Sequence, residues 1–415
     1  MQSVNAYLGA NHSIVKQRNR AIIFRAIRAF GPVARVELAR RTGLNAATVT
    51  NIVDELIAAR LVGETGYGLS RVGRKPIFLE VNSSARFTLG VDIARAAITG
   101  AIVDLGGGIV ECINESAGPW LTSETVVSTV NHLIARLLAR LSPAARAAVT
   151  GIGIGAPGPL SLRSGRFLAP PSFGAWDDLA LQAEVEARFH LPTRVDNNGN
   201  TSALAELWFG AGQGVENFVL LNLGTGVGAG LVLDGDLYRG DHDLAGELGH
   251  VGINVDGPRC ACGNYGCLEM YVSVPRVLAS VRAALSTGEP SVVRELLDAR
   301  GDVTVAALIV AARGEDPLAT RVFADVARYL AAGIVTIAHA FDPHLILIGR
   351  ELASAGDLLL DPVRAEVRRR VFPVLRDGVR IEVAALPDAP VIGAATLALR
   401  EFFHAPLSHS NAVVA

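Results

Sequence analysis

Apolar positions recur along this chain in two rhythms, and the change from one to the other divides it. From Ile14 to Ala29 they repeat at helical spacing, and Phe30-Gly31-Pro32 stops that helix. Val36–Arg41 predicts a short second helix closed by Thr42-Gly43, and Asn45 can cap a third. In that third helix Val49, Ile52, Val53 and Leu56 fall on one face. Leu61–Glu80 sets Gly63, Gly66, Gly68 and Gly73 among short apolar runs, the pattern of a β-hairpin wing, and Asn82-Ser83-Ser84 reads as a junction.

Beyond the junction the rhythm is strand, turn, strand, then helix. Thr88–Ile93, Ala96–Val103 and Ile109–Ile113 are strand-like, Leu121–Leu141 is helical, and Val149–Gly155 is a buried strand. A helix over Asp178–Phe189, a strand near Val195 and a helix over Thr201–Phe209 follow, then strands at Phe218–Leu223 and Ala229–Leu233. The C-terminal part reads as mostly helical, with one strand at Leu345–Ile348. Such alternation marks an α/β body behind a helical head. No short-period repeat is visible.

Composition narrows the class. With 415 residues, half of them hydrophobic and 19% charged, the chain can bury a large core in two or three domains. The longest uncharged stretch, Asn217–Leu233, holds four glycines, so no membrane partner is expected, and the N-terminus shows no signal-peptide pattern. Four cysteines exclude a disulfide scaffold, and three crowd into Cys260–Cys267, which points to metal ligation in a reducing, cytoplasmic setting. Cys112 reads as a core residue. Charge is uneven: residues 1–80 carry a net +7 and the remainder −9. A basic helical head on an acidic body fits a winged helix-turn-helix whose third helix enters a major groove of double-stranded DNA. Asn45, Thr48, Thr50 and Asn51 stand at its N-terminal part for base contacts, and Arg71, Arg74 and Lys75 on or after the wing for phosphates. The bland alternative is a helical bundle with a solvated basic surface.

Three further patterns bear on chemistry. His250, Cys260, Cys262 and Cys267 supply one imidazole and three thiolates, the closed set that holds structural Zn²⁺, and Gly257-Pro258 and Gly263–Gly266 provide the turns. Leu223–Gly230 is a glycine-rich turn that can expose backbone N–H groups to phosphate, or simply connect two strands; no P-loop lysine follows. Asp196-Asn197-Asn198 and the trio Glu247, His250 and Glu269 suit a polyol in number and kind, although each residue alone could be a cap or turn.

Four segments resemble the ROK family of repressors and sugar kinases: Gly155-Ala156-Pro157-Gly158, Leu223–Gly228, Ala245-Gly246-Glu247-Leu248-Gly249-His250 and Cys260–Glu269. The winged head followed by Gly73-Arg74-Lys75-Pro76 is similar to the repressor branch. The resemblance implies a two-lobed, actin-like (ribonuclease H-like) ATPase-type α/β body with a sugar cleft. The head would span residues 1–82, the first lobe 83–195 with about 393–405, and the second lobe 196–392. It further implies that Asn197, Asn198, Glu247, His250 and Glu269 meet a small sugar or sugar-phosphate effector, with His250 also a zinc ligand.

Three departures from the kinase pattern accompany it. Kinases of the family place a catalytic base in an Asn-Asp pair, and this chain has Asn197-Asn198. Their Asp-x-Gly-Gly-Thr loop is here Asp92-Ile93-Ala94-Arg95-Ala96, and a double glycine is replaced by Gly349-Arg350. The expectation is a sugar-responsive repressor, dimeric or tetrameric, with a catalytically inactive kinase-like body and no catalytic residues. Two readings compete with it: an active or bifunctional sugar kinase, which the intact glycine turn keeps open, and a body that only assembles subunits.

Overall fold

The computed structural model describes residues 12–67, 76–116, 122–168, 176–298 and 300–404. The head comprises α1 (His12–Phe30), β1 (Val33–Ala34), α2 (Arg35–Thr42), α3 (Ala46–Ala58), β2 (Val62–Tyr67) and β3 (Ile77–Val81). The Asn45 side chain accepts from Thr48 N at 2.8 Å and starts α3 as expected. Val49, Ile52, Val53 and Leu56 are buried, leaving the polar positions outward. The three strands form one sheet in the order β1-β3-β2, and Arg35 ties it to α3 through Asp54 and Glu64, both at 3.0 Å.

Two five-stranded sheets make the body. The first lobe contains β4 (Phe87–Ile93), β5 (Ala97–Asp104), β6 (Ile109–Ser116), α4 (Ser123–Ala139), α5 (Pro143–Ala147), β7 (Val149–Ala156), the small hairpin β8 (Leu160–Ser161) and β9 (Arg166–Phe167), α6 (Leu181–Phe189) and β10 (Thr193–Asn197). After α7 (Asn198–Phe209) the second lobe runs through β11 (Phe218–Leu223), β12 (Val227–Leu233), β13 (Asp236–Tyr238), α8 (Glu269–Val272), α9 (Val274–Ser286), α10 (Val305–Arg313), α11 (Pro317–Phe341), β14 (Leu345–Gly349), α12 (Asp357–Arg370) and β15 (Arg380–Val383). A last helix, α13 (Ala389–His404), closes the fold.

The sheets share one wiring. In each, three successive strands pair antiparallel, and two later strands add in parallel on the far side of the first. The orders β10-β7-β4-β5-β6 and β13-β12-β11-β14-β15 are therefore the same path walked twice, the ribonuclease H-like duplication of an actin-like body. This repeat is one of topology, which a search for short sequence periods does not detect. The C-terminal part holds two strands rather than one: β15 is a four-residue edge strand with Ile381 buried and Val383 exposed, too short to show an alternation. Cys112 lies on an exposed position of edge strand β6, not in the core.

Helices α7 and α13 lie side by side between the lobes. From Gly199 to Trp208 every residue of α7 is buried. The boundary expected after residue 195 falls inside β10, and α13 starts at Ala389. Although α13 follows the second sheet in sequence, it packs on β4 and β7 of the first. That approach depends on Gly153: a Cβ there would lie 1.7 Å from the Ala394 carbonyl oxygen. The head grips the same helix. Phe24 of α1 stacks on Phe403 with ring centroids 4.3 Å apart, Arg20 donates to the Phe403 carbonyl, and Arg28 lies 4.3 Å over the Phe209 ring. Ile23, Phe24 and Ile27 thus share one core with Trp208, Leu399 and Phe403.

Helix α11, at 25 residues, is long and apolar enough to cross a bilayer. It instead forms the centre of the second lobe. Asp316 caps it by accepting from Ala319 N at 2.9 Å, and Leu318, Val322, Val326, Leu330, Ile334 and Ile337 face the core at helical spacing.

Candidate functional site

A cleft of about 180 Å³ opens where the ends of β4, β7, β10 and β14 meet the β11–β12 turn. The expected hydroxyl-binding residues Asn197, Asn198, Glu247, His250 and Glu269 all line it. Asn197 ends β10 and caps α7, its Oδ1 accepting from Gly199 N at 2.7 Å while Nδ2 donates toward Glu247 Oε1 at 3.5 Å. Asn198 opens α7 with its Oδ1 3.7 Å from where a Cβ on Gly228 would lie. Glu269 Oε2 accepts from Val227 N at 2.9 Å and so fastens α8 to the glycine-rich turn. Burial pushes the Glu247 carboxyl above its ordinary value, against a smaller pull from His250, and Glu269 adds a lesser push. Acceptors, amides and an imidazole therefore converge on one small volume, the arrangement that grips a molecule dense in hydroxyl groups.

His250 faces two ways. Its Nε2 lies 4.0 Å from Glu247 Oε2 on the cleft side, and its Nδ1 lies 3.6 Å from Cys260 Sγ behind. The ligand atoms of His250, Cys260, Cys262 and Cys267 all fall within 4.8 Å of one another, with Cys262 and Cys267 sulfurs 3.7 Å apart. A tetrahedron with metal–sulfur bonds of about 2.3 Å has edges near ~3.8 Å, so the spacing fits a metal of that geometry. The loop is shaped for it by Gly266, at φ +59°, where a Cβ would lie 1.7 Å from the Asn254 carbonyl oxygen. Burial and the neighbouring thiols push Cys267 up to about 12, so charging all three sulfurs requires a cation among them.

The opposite wall carries a charged pair, Arg350 and Glu351. Arg350, just past β14, donates to Asp92 Oδ2 at 2.8 Å across the two lobes. Asp92 is the next-to-last residue of β4 and is 4% exposed; burial pushes its carboxyl up, and Arg350 opposes that shift. Arg350 adopts φ +68°, ψ −162°, a region that essentially only glycine visits, at a cost of about 1–3 kcal/mol. The residue with this strained backbone is the one whose side chain reaches Asp92. Neither Arg350 nor Glu351, which also lines the cleft, was singled out as a ligand contact by sequence reasoning. The visible signal is a charged pair directly after the all-apolar strand Leu345–Gly349. Asp196, grouped with Asn197 by sequence, faces away: it is buried and takes a paired contact from Arg239, at 2.6 and 3.1 Å.

On the head, Thr50 and Asn51 are exposed on α3 and Thr48 is half-buried, while the Asn45 side chain is committed to its cap. Arg71, Arg74 and Lys75 lie outside the described residues.

Comparison with known proteins agrees with this geometry. The profile of the ROK family matches residues 88–401. A putative xylose repressor of Caldicellulosiruptor sp. (strain Rt8B.4) is 32% identical over 399 residues, 95% of this chain and 99% of that protein. Among solved structures, a ROK family transcriptional regulator described as a homologue of the E. coli MLC protein superposes with a TM-score of 0.78 at 31% identity, covering 94% of this chain and 98% of its own. A ROK family glucokinase from Streptomyces griseus, solved with glucose and AMPPNP, matches with a TM-score of 0.69 at 31% identity over 76% of this chain and 99% of its own.

Proposed function

The chain belongs to the ROK family, and from that premise we propose that it is a sugar-responsive transcriptional repressor whose kinase-like body no longer transfers phosphate. One observation carries the reading. All five residues proposed to meet sugar hydroxyls line the cleft, while Asp92, at the position of the kinases' first phosphate loop, is bound by the protein's own Arg350. In this reading a sugar sits between Asn197, Asn198, Glu247, Glu269 and the Nε2 side of His250. A structural Zn²⁺ held by His250, Cys260, Cys262 and Cys267 keeps the imidazole and α8 in place. The winged head reads operator DNA through Thr48, Thr50 and Asn51, with Asn45 at the start of the helix and Arg71, Arg74 and Lys75 serving phosphates. Work on an operator places the protein in the cytoplasm, and paired heads of a homodimer or homotetramer fit a two-fold symmetric site.

The relatives include kinases, so catalysis needs its own test. An amide at Asn198 cannot accept the proton a carboxylate would, a loss of ~10²–10⁴-fold in general base catalysis. Ala94 and Arg95 also stand where glycine would let a phosphate approach. Incubation with labelled ATP and a panel of sugars is expected to yield no sugar phosphate above background, for wild type and for Asn198→Asp alike. Turnover in the ordinary kinase range of ~1–100 s⁻¹ would overturn the inactive body and favour a bifunctional protein.

DNA recognition is checked by titration against operator and random duplexes at several salt concentrations. Asn51→Ala is expected to relax base preference, at ~1–3 kcal/mol for the base it reads, whereas Arg74→Ala weakens all sequences and flattens the salt dependence. Equal affinity for operator and random DNA at physiological salt would contradict a specific repressor.

A further inference from the structure

The glycine-rich turn has two chemical neighbours. A Cβ placed on Gly226 would lie 2.7 Å from Glu269 Oε2, which belongs to the hydroxyl-binding set. A Cβ placed on Gly224 would lie 2.5 Å from Glu351 Oε2 and 3.6 Å from Arg350 Cβ. One flank of the turn therefore serves a sugar, and the other is covered by the protein's own charged pair.

That pair supplies, from within, both charges that a metal–phosphate ligand would bring. The Arg350 guanidinium stands as the cation at Asp92, 2.8 Å away, and the Glu351 carboxylate stands as the anion against the turn. The charged side chains lining the cleft are Arg95 and Arg350 against Glu247, Glu269 and Glu351, with Asp92 beneath Arg350. A ligand phosphate entering here meets an excess of carboxylates, and the Arg350 guanidinium is already engaged by Asp92. Like charges brought together in a closed site are strongly selected against.

We propose that Arg350 and Glu351 are specificity-determining residues that fill the phosphate-accepting side of the cleft, so that the effector is an uncharged monosaccharide and phosphorylated ligands are rejected. This deepens the sugar-responsive reading and rests on it. The strained backbone of Arg350 belongs to the same device, because glycine there would relax the turn and vacate the guanidinium's place.

The test is calorimetric titration of the full chain with glucose, xylose, N-acetylglucosamine, glucose 6-phosphate, N-acetylglucosamine 6-phosphate and, with magnesium, inorganic pyrophosphate. In wild type at least one neutral sugar binds, any 6-phosphate of it binds at least ~10-fold more weakly, and pyrophosphate does not bind. The double variant Arg350→Gly/Glu351→Gln narrows that ratio at least ~5-fold and gains pyrophosphate binding. Glu351→Gln alone, which keeps shape and fold, moves the ratio the same way by less. A 6-phosphate that binds wild type as well as its parent sugar overturns the proposal, as does a ratio unchanged in both variants. Should no sugar bind wild type, the sugar-responsive reading falls; in that case, or if only xylose binds, which has no 6-position, pyrophosphate alone decides on the pair. Binding confined to the double variant supports it, and binding to wild type or to neither protein overturns it.

Discussion

Removing the zinc proposed for the His250–Cys267 cluster is expected to remove the proposed sugar response together with much of the order of the loop that carries it. The centre and the cleft share His250, and Glu269 follows Cys267 by two residues. Without a cation Cys260 and Cys267 hold their protons, Cys267 most firmly, and only weak thiol contacts, such as Cys262 with Cys267 at 3.7 Å, then draw the four side chains together. Structural zinc supplies ~10–16 kcal/mol in small finger peptides. Here the loop has other anchors, notably the bridge between Gly252 and Cys267 and the buried Leu268, so the loss should be a fraction of that. Cys262→Ser is the sharper probe, because Cys262 is exposed and its replacement opens no void in the core. Roughly one zinc per chain is expected in protein purified without a metal-affinity tag, with less in the variant. Thermal unfolding and sugar titration should both weaken. A metal-free preparation that keeps full stability and sugar binding would refute the structural role.

Glu247→Ala should separate sensing from DNA binding. Glu247 lies on the cleft between Asn197 and His250, outside the winged head. A hydrogen bond to a charged group contributes ~1.5–3 kcal/mol, which is ~10–150-fold in sugar affinity. Operator affinity in the absence of sugar should stay within ~2-fold, since surface changes away from an interface usually matter little. In wild type, a bound sugar is expected to lower operator affinity by a coupling of ~1–3 kcal/mol, and operator DNA must weaken sugar binding by the same factor. Titrations with and without sugar on both proteins measure all four corners of this cycle. Tight sugar binding with no change in operator affinity would leave the body a scaffold with an idle pocket.

The sequence announced some of this more clearly than the rest, for physical reasons. The recognition helix was readable because its cap and its apolar face are local: Asn45 and the spacing of Val49, Ile52, Val53 and Leu56 lie within a dozen residues. The His250–Cys267 cluster was readable because three of its four side chains crowd one loop. By contrast the Asp92–Arg350 contact joins residues 258 apart, and no local pattern reports which charge will cross a cleft. Asn197 shows the intermediate case: it reads as a helix cap, and it is one, while the same side chain also reaches Glu247. Edge strand β15 escaped because four residues carry too little periodicity. The exposed place of Cys112 escaped because an edge strand presents one face to solvent, and sequence alone does not tell which.

The pairing of α7 and α13 has a mechanical side. The chain passes from the first sheet to the second through α7 and returns through α13, so the lobes are joined along a line, like the leaves of a door along its pin. Bodies joined in that way swing. Helix α1 is clamped to the pin itself by Phe24 on Phe403, and the stretch from Phe24 back to His12 makes an arm about 18 Å long. A swing of about 11° carries the tip of such an arm through about 3.4 Å, the rise of one base pair along a strand. A motion too small to disturb any core would thus put a reading head out of step with its half-site by a whole rung of the duplex.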